Sequence, residues 1–328
     1  MPRPPAFWQH AVRSPWVPLL APISAIVAAI TARRVAQTGW RAPVPVICCG
    51  NVTVGGAGKT TVALDFGQRL SALGVAVHFL LRGYGGTVRG PHRVAAADAA
   101  SLVGDEALLL AQVAPTWVGA DRAASAGAAI AAGAQALVLD DGLQNPTLVK
   151  DLSLLVVDGA TGFGNGRVMP AGPLRETVAA AAARCQAAVL IGPDATGAAA
   201  QLPTHLTQLH ARLEPGREVA GLIGHRVLAF AGLALPDKFF NGLTQTGVEV
   251  VARRPFPDHH PYTETDLRTL LANAARLNAV LVTTPKDAVR LPGGAREKVQ
   301  VIGVTLVWED EAALNAVLAS VIPGAVSV

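Results

Sequence analysis

The sequence predicts an α/β protein of two α/β/α lobes, an N-terminal lobe on a mostly parallel sheet and a smaller C-terminal lobe, with an apolar helix in front. Apolar, β-branched runs at 46–49, 75–81, 136–139, 152–157 and 187–191 alternate with alanine-rich helical stretches such as 121–132 and 176–184. That alternation is the signature of βαβ units, whose sheet is covered by helices on both faces. A second set of strand-like runs, at 227–231, 248–252, 279–283 and 299–307, alternates with helical spacing at 235–243, 263–275 and 309–322. Between the two sets, residues 206–224 change to a shorter alternation broken by Pro215 and Gly216, which reads as a connection. The expected division is 1–40 for the leading helix, 41–210 for the first lobe, 211–224 for the linker and 225–328 for a second lobe that contributes to a cleft.

The leading segment comes first. From Trp16 to Ala32 the chain carries no charge, with Arg13 before it and Arg33 and Arg34 after it. Its length, about 17 residues, lies at the lower edge of what spans a bilayer, and Pro18 and Pro22 weaken a span further. An interfacial anchor fits better, with Trp8, Trp16 and Trp40 as interface-seeking aromatics and the arginines facing anionic headgroups. A buried first helix of the core is the competing reading.

Composition points the same way. A hydrophobic fraction of 51% with only 15% charged residues implies apolar surface meant for lipid or for an alanine-rich core. The formal charge of +4 is mild, and no lysine-arginine block or aromatic platform suggests nucleic acid. Cys48, Cys49 and Cys185 make an odd count, two of them adjacent in an apolar run, so a disulfide framework is excluded in favour of a reducing compartment.

The first lobe's strongest signal follows the run 46–49. Gly50 to Thr61 reads GNVTVGGAGKTT and leads into Val62, Phe66, Leu70 and Leu73 at helical spacing. Strand, glycine turn and helix in that order make a P-loop, in which backbone N–H groups wrap phosphate oxygens, a lysine reaches the outer phosphates and a hydroxyl meets magnesium. Thr53, Val54, Gly55, Gly56, Ala57, Gly58, Lys59, Thr60 and Thr61 are therefore the candidate nucleotide-binding residues, and the first lobe is of P-loop NTPase type. Thr53 stands where the general pattern has its opening glycine.

Next, the run 136–139 ends in Asp140 and Asp141, a pair of carboxylates at a strand end, where P-loop enzymes hold magnesium beside the phosphates. Gly104-Asp105-Glu106 opens an apolar helical stretch, so by themselves these acids could merely complement the helix dipole. In the second lobe, Phe256 to Tyr262 packs Asp258, His259 and His260 between prolines, and histidine there could transfer a proton across a cleft.

Taken in order, GNVTVGGAGKT, LLRGYGG at 80–86, GDEALLLA at 104–111, DDGLQN at 140–145, GNGRVMPAGPLRE at 164–176, AFAGLALPDKFF at 229–240, FPDHHPY at 256–262 and TTPKDAVR at 283–290 resemble the tetraacyldisaccharide 4'-kinase, or lipid A 4'-kinase, family. The resemblance runs from the apolar segment nearly to the C-terminus. It implies transfer of the γ-phosphate of ATP to the 4'-hydroxyl of a tetraacylated glucosamine disaccharide 1-phosphate, with Mg2+. The product would be lipid IVA, a lipid A precursor made at the cytoplasmic face of the inner membrane of Gram-negative bacteria. No obligate protein partner is implied.

By the same resemblance Lys59 holds the β- and γ-phosphates, and Thr60 with Asp140 or Asp141 holds the metal, with Glu106 and Gln144 nearby. Asp105 would be the catalytic base, with His259 as its partner, and Arg82, Tyr84 and Asn165 would meet the sugar-lipid substrate. Three positions depart from the family's pattern: Leu81 replaces a usual serine, Asn145 a usual histidine and Thr61 a usual proline. The competing class is a membrane-surface P-loop ATPase that switches a protein partner. Such a switch needs neither the Asp105–His259 pair nor the Arg82-Gly83-Tyr84 turn.

Overall fold

The computed structural model describes residues 4–10 and 12–322; the outermost residues of the expected first and last segments, 1–3 and 323–328, lie outside them. A sheet of nine strands dominates. Its spatial order is Val304–Trp308, Thr207–Pro215, Ala187–Ile191, Leu152–Asp158, Val46–Gly50, Ala136–Asp140, Val77–Leu81, Thr116–Val118 and His92–Arg93. The seven inner strands pair in parallel and only the two outermost contacts are antiparallel. Strands Val46–Gly50, Val77–Leu81, Ala136–Asp140 and Ala187–Ile191 are buried at every position, as continuous apolar runs covered on both faces must be.

Helix Lys59–Ala72 covers one face of this sheet by burying Val62, Phe66 and Leu70. It approaches closely because Gly67 lies against the Phe79 ring, where a Cβ would have no room. The second lobe has a four-stranded parallel sheet in the order Glu249–Pro255, Arg226–Ala231, Val280–Thr283, Gln300–Val301. Helix Glu264–Arg276 packs on it, started by a capping box between Thr263 and Asp266.

The segments sit differently from the expected 211–224 linker and 225–328 lobe. Thr207–Pro215 is a strand of the large sheet, and Val304–Trp308 leaves the second lobe to pair antiparallel with it. The alternation of Leu306 and Trp308 marks a strand that buries one face, but period alone does not say on which sheet. Packing decides. Trp308 sets its ring edge-on to Phe66 at 6.2 Å between centroids and donates its indole N–H to Asp65 Oδ2 at 3.0 Å. Helix Glu311–Ala319 then seals the same core with Leu314 and Leu318. The chain thus crosses between lobes twice, after Pro215 and after Val301.

Helix Trp16–Val35 is not a buried core helix. Ser24, whose hydroxyl accepts from the Ala171 N–H at 3.0 Å, is its single buried residue, and Val27 and Ala28 rest partly against the first lobe. Trp16, Leu19, Ile23, Ile26 and Ile30 are 51–65% exposed. Spaced by three and four, they share one face of the helix, a continuous apolar stripe of the kind that marks an interaction surface. Arg33 and Arg34 lie in its last turn, where the helix dipole favours cations. Trp8, in contrast, spends its indole N–H on the Pro170 carbonyl at 3.0 Å and fastens the chain before the helix to the first lobe.

Trp308→Ala should lower the unfolding free energy in urea by about 3–5 kcal/mol, the usual cost of emptying a large aromatic site. A loss below about 1 kcal/mol would mean that the returning strand contributes little to the first lobe.

Candidate active site

The P-loop starts at the carboxyl end of the central strand, where a ligand site is expected in an open parallel sheet. Parallel register sets Cys49 opposite Asp140, so the same sheet edge delivers the glycine loop and the carboxylates side by side. Gly55 and Gly58 take φ of 117° and 86°, values that admit glycine with little strain. Thr53 needs no such freedom, because it forms a β-bridge with Leu174 while its hydroxyl and carbonyl accept from the Asn51 side chain at 3.0 Å each. Two further bonds pin the loop: Val54 N–H donates to the Pro173 carbonyl at 2.9 Å and Arg175 N–H to the Val52 carbonyl at 2.7 Å. The extended backbone at position 53 is the physical reason that a threonine replaces glycine.

Lys59 opens the following helix and is buried, with Asp141 Oδ2 3.8 Å from its Nζ. Thr60 donates its hydroxyl proton to Asp140 Oδ2 at 2.7 Å. Asp140 is 4% exposed, and its second oxygen is buried with no hydrogen-bond partner. Burial pushes this carboxyl up to about 6 from its ordinary 3.8, against the opposing pull of the Thr60 hydroxyl and the Lys59 charge. An orphaned carboxylate oxygen beside a hydroxyl is the hard-oxygen donor set that suits magnesium, which completes its shell with water and phosphate. Among the described residues no cluster of three His, Cys, Asp or Glu could hold a metal ion.

Other expected metal neighbours have different partners. Glu106 pairs with Lys286 of the second lobe at 2.8 Å. Gln144 donates to the Asn51 carbonyl and to Glu176, both at 2.9 Å, and Glu176 is in turn held by Arg184 through both carboxylate oxygens. Asp141, at φ 58°, accepts from Arg175 at 2.8 Å. Arg175, Glu176 and Arg184 thus belong to the wall of the site although the sequence reading gave them no role. For Arg175 and Glu176 the signal was present in the PLRE segment at 173–176, where two charged residues follow an apolar bridge at Leu174.

Asp105 is the first residue of helix Asp105–Leu110, which packs against Lys59–Ala72. Gly104 precedes it at φ 91°, and a Cβ there would meet the Tyr84 carbonyl at 2.6 Å. That close approach locks the Asp105 turn to the Arg82-Gly83-Tyr84 turn, whose arginine and tyrosine side chains are exposed. Across the cleft, His259 Nδ1 lies 2.7 Å from Asp105 Oδ2. The two residues singled out 154 positions apart in sequence are therefore in contact. His259 holds φ 58°, a left-handed conformation that costs a non-glycine residue about 1 kcal/mol or more and collects at functional sites. Asn165 departs from its expected substrate role: its amide donates to the Phe7 and Ala171 carbonyls, both at 2.8 Å, and so ties the N-terminal segment to the loop 164–173.

Of the three departures noted in the sequence, Leu81 is buried in the first lobe's core and Asn145 caps its own turn, accepting from Thr147 N–H at 3.1 Å. Thr61 follows Thr60 in the helix Lys59–Ala72.

Comparison with known proteins identifies the family. The family described as Tetraacyldisaccharide-1-P 4'-kinase matches residues 16–323. The chain is similar to a tetraacyldisaccharide 4'-kinase of Gluconacetobacter diazotrophicus, 56% identical with 96% of each chain covered. It is similar also to that of Gluconobacter oxydans, 52% identical with 94% of each covered, and to that of Rhodospirillum rubrum, 51% identical with 98% of each covered. Among solved structures, the "apo" form of LpxK from Aquifex aeolicus in complex with ATP has the same fold, with TM-score 0.74 over 93% of this chain and 99% of that one at 24% identity.

Asp140→Asn should stabilise the metal-free protein at pH 8 and not at pH 4. With its carboxyl raised from 3.8 to about 6, the folded state keeps a proton that the unfolded state has lost, so this group's contribution is full below pH 3.8 and disappears as pH rises through about 6. The gain, at most about 3 kcal/mol, would be read by urea unfolding in chelator at both pH values. Equal gains at pH 4 and pH 8 would refute the buried-charge account.

Proposed function

The chain belongs to the tetraacyldisaccharide-1-P 4'-kinase family, and we propose that it transfers the γ-phosphate of ATP to the 4'-hydroxyl of tetraacyldisaccharide 1-phosphate. The observation that carries this reading is the Asp105–His259 contact closing over the P-loop's neighbouring helix. Phosphoryl transfer asks a protein mainly for positioning and charge neutralisation, and the residues divide accordingly. The loop from Thr53 to Thr61 cradles the phosphates with its N–H groups. Lys59, already buried and held only at 3.8 Å by Asp141, has its ammonium available for the β- and γ-phosphate oxygens.

Thr60 and Asp140 would hold Mg2+, with Asp141 beside them. When bound, the ion would neutralise charge that develops on the transferred group. Asp105 accepts the proton of the sugar hydroxyl as its oxygen bonds to phosphorus and the bond to the β-phosphate oxygen breaks, leaving ADP. His259 orients that carboxylate through Nδ1 and takes up part of the proton's charge. Arg82 and Tyr84, exposed on the turn locked to Asp105, supply hydrogen bonds and an aromatic face to the sugar. Asn165 acts indirectly, by fixing the loop beside the N-terminal helix.

The exposed stripe of helix Trp16–Val35 supports docking at the cytoplasmic face of the inner membrane, where an acylated substrate resides. Glu in place of Leu19, Ile23 and Ile26 together should release the protein from vesicles of anionic phospholipid in a sedimentation assay. Undiminished binding would refute the anchor.

The central assay incubates protein in detergent with γ-labelled ATP, magnesium and the tetraacyl disaccharide 1-phosphate. Label should enter the lipid. Lys59→Ala and Asp105→Ala should lower kcat by about a hundredfold or more, His259→Ala by about tenfold. Label found only in free phosphate would sink the kinase reading and leave the ATPase switch in its place.

A further inference from the structure

We propose that Arg290, set by the buried carboxylate of Asp287, is the positioning residue of the Asp105–His259 pair: it shapes the histidine's backbone and holds the aspartate from the other side. The inference rests on the kinase reading above.

Arg290 and Asp287 form an ion pair at 2.6 Å whose side chains are 4% and 0% exposed. A buried pair of charges adds little stability over an apolar pair of the same size, because desolvation offsets the attraction unless every remaining donor and acceptor is satisfied. Here the satisfaction is extensive and has a direction. Asp287 Oδ1 also accepts from the Gly232 N–H and the Tyr262 hydroxyl, both at 2.8 Å, while Oδ2 accepts from the Thr284 hydroxyl at 2.6 Å. Gly232 in turn accepts, through its carbonyl, from the His259 N–H at 3.2 Å and from Arg290 Nη2 at 3.1 Å. Arg290 Nη1 donates to the His260 carbonyl at 3.3 Å. The backbone on both sides of the His259 ring is therefore gripped by one guanidinium and its carboxylate.

This grip accounts for the left-handed φ of His259, which persists only where surroundings over-determine it. It accounts as well for Gly232, where a Cβ would come within 2.9 Å of the Pro257 carbonyl and 3.1 Å of Asp287 Oδ1. The same guanidinium reaches out of the second lobe. Its Nε donates its one N–H to the Lys286 carbonyl at 3.1 Å and lies 3.4 Å from Asp105 Oδ2, an ion pair with the oxygen that His259 contacts at 2.7 Å. The planar fork thus holds the histidine's loop by hydrogen bonds, which the single ammonium of lysine cannot reproduce together, and faces the first lobe's aspartate with its charge.

The test uses the full chain in the lipid phosphorylation assay, with Arg290→Lys, Arg290→Met and Tyr262→Phe, each alone and with His259→Ala. Arg290→Lys and Arg290→Met should lower kcat by about tenfold to a hundredfold with KM for ATP within about twofold, and Tyr262→Phe by about threefold. In the His259→Ala background each change should cost much less than it does alone, under about threefold for the Arg290 variants and next to nothing for Tyr262→Phe, because the larger part of the effect runs through the histidine and only the contact with Asp105 remains. In protein carrying 15N-histidine, Arg290→Lys should move the His259 Nδ1 resonance toward that of free imidazole. Wild-type kcat for Arg290→Lys, full multiplication of its effect with that of His259→Ala, or an unmoved resonance would overturn the proposal. Should Arg290→Met not fold, Arg290→Lys and Tyr262→Phe decide. A wild-type protein that fails to phosphorylate lipid would overturn the kinase reading, while the histidine spectrum still decides the positioning role.

Discussion

The register between strands Val46–Gly50 and Ala136–Asp140 is the constraint on which the site depends. Parallel pairing sets Cys49 beside Asp140, so the ends of two fully buried strands must present a glycine loop and an unsolvated carboxylate together. The sheet gains stability from burying every residue of both strands, and part of that gain is offset by desolvating Asp140. A carboxylate held in this way stabilises a cation more than it stabilises the empty fold. The same trade appears in Lys59, a buried ammonium with only a distant counter-charge. Binding affinity for phosphate and metal is built from groups left short of partners.

Much of this was legible in the chain. The strand-loop-helix order around Lys59 and the carboxylates ending the run 136–139 follow from period, glycine spacing and residue chemistry, because local sequence governs a turn and the strand it ends. Asp105 was different. Its position after Gly104 looks like ordinary helix capping, and only the resemblance paired it with His259, since contact across 154 positions leaves no local trace. Glu106 and Gln144 were expected near the metal, yet Lys286 and Glu176 engage them, because side-chain partners are chosen by tertiary packing. Asn165 lay in the right segment, but its amide chose carbonyls of the N-terminal segment and its own loop. The destination of Val304–Trp308 was equally hidden, for alternation names a face and not a sheet.

Charge organises the meeting of the lobes. From the first lobe come Asp105, Glu106 and Asp158; from the second come His259, Arg290, Lys286 and Lys238, with contacts of 2.7–3.4 Å. The more exposed of these pairs, Lys238–Asp158 and Lys286–Glu106, are individually weak, worth about 1 kcal/mol or less, so they set alignment more than cohesion. An interface of that kind can open for a substrate and still re-form in one register. The apolar stripe of helix Trp16–Val35 is tied through Ser24 and Trp8 to the first lobe and not to the second.

The return of Val304–Trp308 to the large sheet has a consequence for how the protein is made. During synthesis the strand Thr207–Pro215 emerges some ninety residues before its antiparallel neighbour, so until then it stands as a bare sheet edge able to pair with another nascent chain. The intervening second lobe is an insertion between these two adjacent strands and is synthesised in that interval. Order of birth along the ribosome therefore places the whole second lobe before the completion of the first, and the last strand made closes the first lobe.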